Sequence, residues 1–187
     1  MYWFNAERWR WLHVAFPKVR ILIALLGLVP YLYFAVGVPL WPGLAVVLAG
    51  ELLQLWAAAN LYKNESLAQR GPYAWVRNPM YTGRFLVGVG LALMVRLWWL
   101  MLPIFAVIYL VYVHARVLRE EGRLREYLGE PYAEYCARVG RWLPRRLPRL
   151  GEFVSWSWES VARNRQWQVT LALFVVVLLV VARRQFL

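Results

Sequence analysis

Two short stretches carry residues whose types and spacing suit chemistry. The first is Gly71–Gly83, GPYAWVRNPMYTG, where Arg77, Asn78, Pro79 and Tyr81 follow one another closely. Asn is among the best helix N-caps, and Pro fits the first helical position because its missing N–H would have no partner there. Arg77–Tyr81 is therefore expected to begin a helix, with free backbone N–H groups and the positive end of a helix dipole, a ready place for an anionic group. Gly71 is expected to end the preceding helix in a left-handed conformation, and Pro72 stops that helix from continuing. The second stretch holds Glu120-Glu121, then Glu130, Tyr132 and Tyr135. Helical spacing pairs Glu120 with Arg116 and Glu121 with Arg125, and sets Tyr132, Tyr135 and Val139 on one face. Taken singly, these are surface ion pairs worth little each and ordinary packing. Taken together, two carboxylates, several tyrosines and an anion-binding helix end suit a zwitterionic ligand.

The elements that must position them are membrane helices. The chain has 187 residues, 61% of them hydrophobic and 17% aromatic, with mean hydropathy +0.44. Soluble domains run at roughly 45–50% apolar, so the class is integral membrane, all-α and a single domain. The net charge of +12 gathers outside the apolar runs, which suits an anionic membrane surface and not a nucleic-acid groove. The single Cys136 excludes an internal disulfide, and His13 and His114 join no cluster with metal-ligand spacing, so no metal is expected.

About five transmembrane helices are expected. Residues 1–20 mix tryptophans with arginines and read as an interfacial amphipathic segment without a signal-peptide layout. Ile21–Val38 is the first span, and Pro39–Gly43 a turn. Leu44–Tyr62 is the second, with Glu51 and Gln54 one turn apart on one face. A carboxylate at that depth costs ~2.5–3.5 kcal/mol on insertion scales, so it should face protein or a water-filled cavity. Met80–Val95 and Trp98–Val113 form a helical hairpin, with Gly83, Gly88 and Gly90 giving small packing surfaces. Arg116–Leu128 and Gly129–Arg141 follow as short cytosolic helices, Gly151–Gln166 as a Trp-rich interfacial segment, and Trp167–Ala182 as an extra, last span. The distribution of basic residues puts the N-terminus, the 63–77 loop and the 116–165 region in the cytosol, at the inner cell membrane. The Asn64-Glu65-Ser66 sequon is then unused.

These residues resemble the isoprenylcysteine carboxyl methyltransferase and phospholipid N-methyltransferase superfamily. GPYAWVRNPMYTG is similar to its Arg-His-Pro-x-Tyr-x-Gly box, and Glu120-Glu121 followed by GEPYAEYCARVGRWLP is similar to its Glu-Glu and Gly-Glu-x-Tyr-x-x-Tyr elements. GELLQLWAAANLYKNESL is similar to its bacterial branch, and the likeness covers roughly residues 50–144. One departure is Asn78 where the family carries His; Asn can cap and donate a hydrogen bond but cannot exchange a proton near neutral pH.

The resemblance implies methyl transfer from S-adenosylmethionine, leaving S-adenosylhomocysteine, at the cytosolic membrane face, with residues 71–142 as catalytic core. It implies catalytic roles for Arg77, Asn78, Glu120 and Glu121, and a cofactor site of these with Tyr73, Val76, Pro79, Tyr81, Gly83, Tyr132 and Tyr135. The acceptor would be lipophilic, an isoprenylcysteine-like carboxylate first, a phospholipid or a small thiol or amine otherwise, entering past Glu51, Gln54 and Trp56. Two rivals are a sterol-reductase-like NADPH enzyme, for which no 2′-phosphate site is apparent, and a non-catalytic scaffold or transporter that keeps the fold.

Overall fold

The computed structural model describes residues 26–61, 67–145 and 155–185. The described residues are helical: α1 (26–34), α2 (Leu40–Ala59), a 3₁₀ turn (Gly71–Ala74), α3 (Pro79–Leu93), α4 (Trp98–Leu128), α5 (Glu130–Arg138), α6 (Trp158–Arg163) and α7 (Gln166–Gln185). The expected interfacial segment 1–20, the start of the first span and the Asn64-Glu65-Ser66 sequon lie outside them.

Among the described residues, three helices are long and apolar enough to cross a membrane: α2, α4 and α7. The third expected span is shorter than these. At 15 residues, α3 reaches only ~22 Å against ~30 Å of hydrocarbon. Helix α2 begins four residues before the expected Leu44, because Pro39 and Pro42 sit at and just after its start, where proline is tolerated. Its other end falls at Ala59, with Asn60 as C-cap, and not at Tyr62.

Two pairs of glycines set the crossing of α2 with α3. A Cβ on Gly50 would stand 2.7 Å from the Gly83 carbonyl oxygen, and one on Gly90 would stand 2.6 Å from that of Gly43. The pairs are two turns apart on each helix, so the backbones touch along a seam that no side chain could enter. On its other side α3 meets α4 through rings: Phe85 lies 5.9 Å from Phe105 and 5.5 Å from Tyr109, and Gly88 leaves room for the Phe105 ring.

Helix α7 packs on α2. At one end Arg184 donates to the carbonyls of Ala35 (2.8 Å), Val38 (2.7 Å) and Met94 (3.0 Å), gathering α1, α3 and α7. The other end is charged. Beyond Val113, α4 carries Arg116, Arg119, Glu120, Glu121, Arg123, Arg125 and Glu126, which cannot sit in hydrocarbon, so this half of the helix stands clear of the apolar layer.

Candidate active site

The charged end is built around the start of α3. Gly71 has φ +58°, the left-handed conformation expected of it, but it opens the 3₁₀ turn and does not close a helix. The preceding helix has already ended at Asn60, whose Nδ2 donates to the Trp56 and Ser155 carbonyls. A Cβ on Gly71 would fall 2.5 Å from that Nδ2, so only glycine fits on both counts. The turn then runs into a parallel bridge between Val76 and Gly140, in which the Arg77 N–H donates to the Gly140 carbonyl at 2.9 Å. This contact lays the tail after α5 over the beginning of α3.

Asn78 holds the N-cap position, and its carbonyl accepts from the Tyr81 and Thr82 N–H groups. Its side chain does not cap. Instead Nδ2 donates to Glu121 Oε1 at 3.3 Å and to the Arg141 carbonyl at 3.5 Å. Arg77 Nε stands 3.1 Å from Glu121 Oε1, and Arg141 closes the other side with Nη2 at 2.7 Å from Oε2. The anion found at this helix start is therefore the chain's own Glu121 carboxylate. Spacing along α4 pointed to Arg125 as its partner; the partners are Arg77 and Arg141, from two other elements. Burial on its own would raise the Glu121 pKa, but the Arg141 and Arg77 guanidiniums and the Asn78 amide outweigh it and hold the carboxyl below the usual range.

Glu120 faces differently. Its side chain is 43% exposed, 3.4 Å from Arg116 Nε as the helical spacing suggested. The Tyr81 hydroxyl donates to Glu120 Oε2 at 3.0 Å and accepts from Arg116 Nε at 2.7 Å. Tyr109 fixes the backbone here by donating to the Tyr81 carbonyl at 2.7 Å, and the Arg84 guanidinium lies 5.4 Å from the Tyr81 ring centre. Tyr132, Tyr135 and Val139 are buried together, with Leu67 and Leu128 against them. The Tyr135 hydroxyl donates to the Tyr73 carbonyl at 2.8 Å. Burial, reinforced by the Glu121 charge near Tyr132, pushes both phenols well above their ordinary pKa, so they are neutral donors.

A cavity of about 430 Å³ lies between these parts, inside the ~300–1,000 Å³ usual for small-molecule sites. Tyr73, Arg77, Asn78, Pro79 and Tyr81 line it from the start of α3, and Glu120, Glu121, Tyr132 and Tyr135 from α4 and α5. Val76 is spent in the bridge to Gly140, and Gly83 faces Gln54 and Gly50 in the helix crossing; neither lines the cavity. Glu51, Gln54 and Trp56 are also off its wall. Glu51 and Gln54 bond each other inside the bundle, and the Trp56 ring meets Trp75 edge-on. Sequence reasoning gave no role to Arg84, Arg141, Asn164 and Gln166. Arg141 lies inside the RVGRWLP stretch and was within reach; Asn164 and Gln166 flank the turn into α7, which no spacing marks.

The family model for phospholipid methyltransferases matches residues 38–130, taking in α2, α3, α4, the Arg77–Gly83 box and both glutamates. The chain is also similar to a protein-S-isoprenylcysteine O-methyltransferase of Tribolium castaneum, with 28% identity over 114 residues, 54% of this chain and 40% of that protein. It thus spans less than half the length of this curated relative. The family match takes in α3 and α4, which carry the charged lining of the cavity, and with these likenesses the chain belongs to the superfamily of isoprenylcysteine carboxyl methyltransferases and phospholipid methyltransferases.

Proposed function

We propose that the protein transfers a methyl group from S-adenosylmethionine to a lipophilic acceptor, an isoprenylcysteine-like carboxylate, at the cytosolic face of the inner cell membrane. The observation that carries this reading is the cavity itself, walled on one side by the Arg77–Tyr81 helix start and on the other by Glu120, Tyr132 and Tyr135.

The donor set fits the cofactor. Glu120 is half-exposed, lines the cavity and, among the described residues, pairs with one cation, Arg116, which leaves acceptor capacity for an ammonium. The clasp at the helix start sets two guanidiniums against one carboxylate, so it keeps a net positive charge beside the helix dipole and suits a carboxylate. The tyrosine faces of Tyr81, Tyr132 and Tyr135 suit a sulfonium. When bound, the cofactor supplies an electrophilic methyl group. The chain's own contribution is to align donor and acceptor and to keep water away, since in-line displacement needs little else. A carboxylate acceptor requires no general base, which agrees with Asn at position 78, a residue that holds geometry and moves no proton.

The cavity end carries Arg116, Arg119, Arg123, Arg125, Arg138 and Arg145, and the far end Arg96, Arg183 and Arg184. This asymmetry supports a cytosolic site. We read α3 and α4, joined through Met94–Leu97, as a hairpin within a five-span arrangement. Isothermal calorimetry with S-adenosylhomocysteine tests the reading. Micromolar-range binding is expected, and no binding would overturn it in favour of a reductase or a non-catalytic scaffold.

A further inference from the structure

Glu51 lies midway along α2 and is buried. Its carboxylate accepts from Gln54 Nε2 at 3.1 Å, from Gln166 Nε2 at 3.2 Å and from the Thr170 hydroxyl. Two of these three donors belong to α7. A buried polar cluster of this kind is a poor device for stability, because apolar side chains of similar volume would serve as well or better. It is a good device for fixing one arrangement of two helices.

What it fixes adjoins the cavity. Gln166 is 2% exposed and lines the cavity wall while its amide nitrogen is bonded to Glu51. Two residues earlier, Asn164 Nδ2 donates to the carbonyls of Ala58 (3.0 Å) and Leu61 (2.9 Å), and Asn164 also lines the wall. Between them Arg165 takes φ +54°, a conformation that a non-glycine residue keeps only where its surroundings enforce it. The turn from α6 into α7 is thus pinned to α2 at two places, at its end through Asn164 and midway along it through Gln166. The wall it makes, Asn164, Gln166 and Val169 with Leu61 and Leu67 beside them, bears no charge, whereas the charged lining comes from α3 and α4.

We propose that α7, which lies beyond the family-matched residues 38–130, forms the acceptor-facing wall of the reaction chamber, and that Glu51 is a positioning residue holding Gln166 in that wall. The cavity then divides its labour: charged groups of α3 and α4 for the cofactor, an uncharged wall with one fixed amide for the apolar acceptor. This inference rests on the methyltransferase reading above.

The test uses the full chain in lipid nanodiscs, with S-farnesyl-N-acetylcysteine as acceptor probe and S-adenosylhomocysteine as cofactor probe. Glu51→Leu and Gln166→Ala are expected to raise the acceptor KM about ten- to a hundredfold, as small misplacements of a positioning group do, with S-adenosylhomocysteine affinity unchanged. Glu51→Gln should recover most of the loss, because its amide oxygen still accepts from Gln166 and Thr170. Unchanged acceptor KM in both variants overturns the inference, and so does a parallel loss of S-adenosylhomocysteine binding, which would mean a merely structural cluster. Failure of the methyltransferase reading shows elsewhere, in the wild type, as no S-adenosylhomocysteine binding or no methylation of the probe.

Discussion

Arg141 Nη2 stands 2.7 Å from Glu121 Oε2, and through that pair a residue beyond α5 is fastened to α4 directly over the start of α3. Arg77 completes the clasp from the other side at 3.1 Å. The three residues come from three elements, so the pair reports on whether the cavity is closed as well as on local stability.

Removing the two ends of this clasp should not cost the same. Glu121→Ala leaves the buried Arg77 guanidinium, 10% exposed, without its carboxylate and facing a second cation, and should destabilise by about 3 kcal/mol. The Arg141 side chain is 32% exposed, so Arg141→Ala loses part of a screened interaction and should cost about 1–2 kcal/mol. Thermal unfolding of the detergent-solubilised variants, followed by circular dichroism, checks the order. Equal losses would contradict the burial argument.

The same carboxylate sets an acid dependence. Its pKa is lower folded than unfolded, so its contribution is full above the unfolded glutamate value, ~4.3, and disappears as pH falls through the depressed folded value. Wild-type Tm should therefore be flat near neutrality and drop below about pH 4. Glu121→Gln should start lower at pH 7 and fall less steeply in acid. Parallel Tm profiles for the two proteins would remove Glu121 as the source.

Glu120 should behave as a binding group, in contrast to its neighbour. It is 43% exposed and shares a hydrogen bond with Tyr81, so Glu120→Gln should leave Tm nearly unchanged. Loss of one charge-assisted hydrogen bond to an ammonium should weaken S-adenosylhomocysteine binding by about ten- to a hundredfold. Tyr81→Ala should weaken it too, by freeing Glu120 and Arg116 from their shared hydroxyl. Calorimetry showing wild-type affinity in both variants would overturn the assignment of this cavity to the cofactor.

Much of this was legible because it is local. Asn78-Pro79 marks a helix start, Gly71 a left-handed backbone, and the apolar runs mark α2, α4 and α7; each is decided by a few neighbouring residues. The partners of Glu121 were not legible, because i,i+4 spacing favours Arg125 while the fold supplies Arg77 and Arg141 from 44 and 20 positions away. Gly83 illustrates the same limit: motif spacing cannot tell a glycine that admits a ligand from one that admits a helix, and here the neighbour is Gln54 of α2. Thr170 was lost in a span that reads as apolar, since a single polar residue carries little weight in any hydropathy pattern, and Gln166 fell at the edge of the segment read as interfacial.

The crossing of α2 and α3 yields a sharper mutational contrast. A methyl group added at Gly50 would meet backbone, the Gly83 carbonyl and the Val87 nitrogen, each at 2.7 Å, and backbone cannot rotate away. Gly50→Ala must therefore push the two helices apart, and overpacking of this kind costs about 1–3 kcal/mol. Because α3 carries Asn78 and Tyr81 at its start, the displacement should also weaken S-adenosylhomocysteine binding, although Gly50 lies outside the cavity wall. Gly122, within α4, has nothing near its Cβ position, so Gly122→Ala should stabilise by about 0.5–1 kcal/mol through the lower backbone entropy of alanine. Measuring Tm and S-adenosylhomocysteine affinity for the two alanine variants side by side decides the matter: a tolerated Gly50→Ala would mean that the close approach of α2 and α3 is not what holds the cavity in shape.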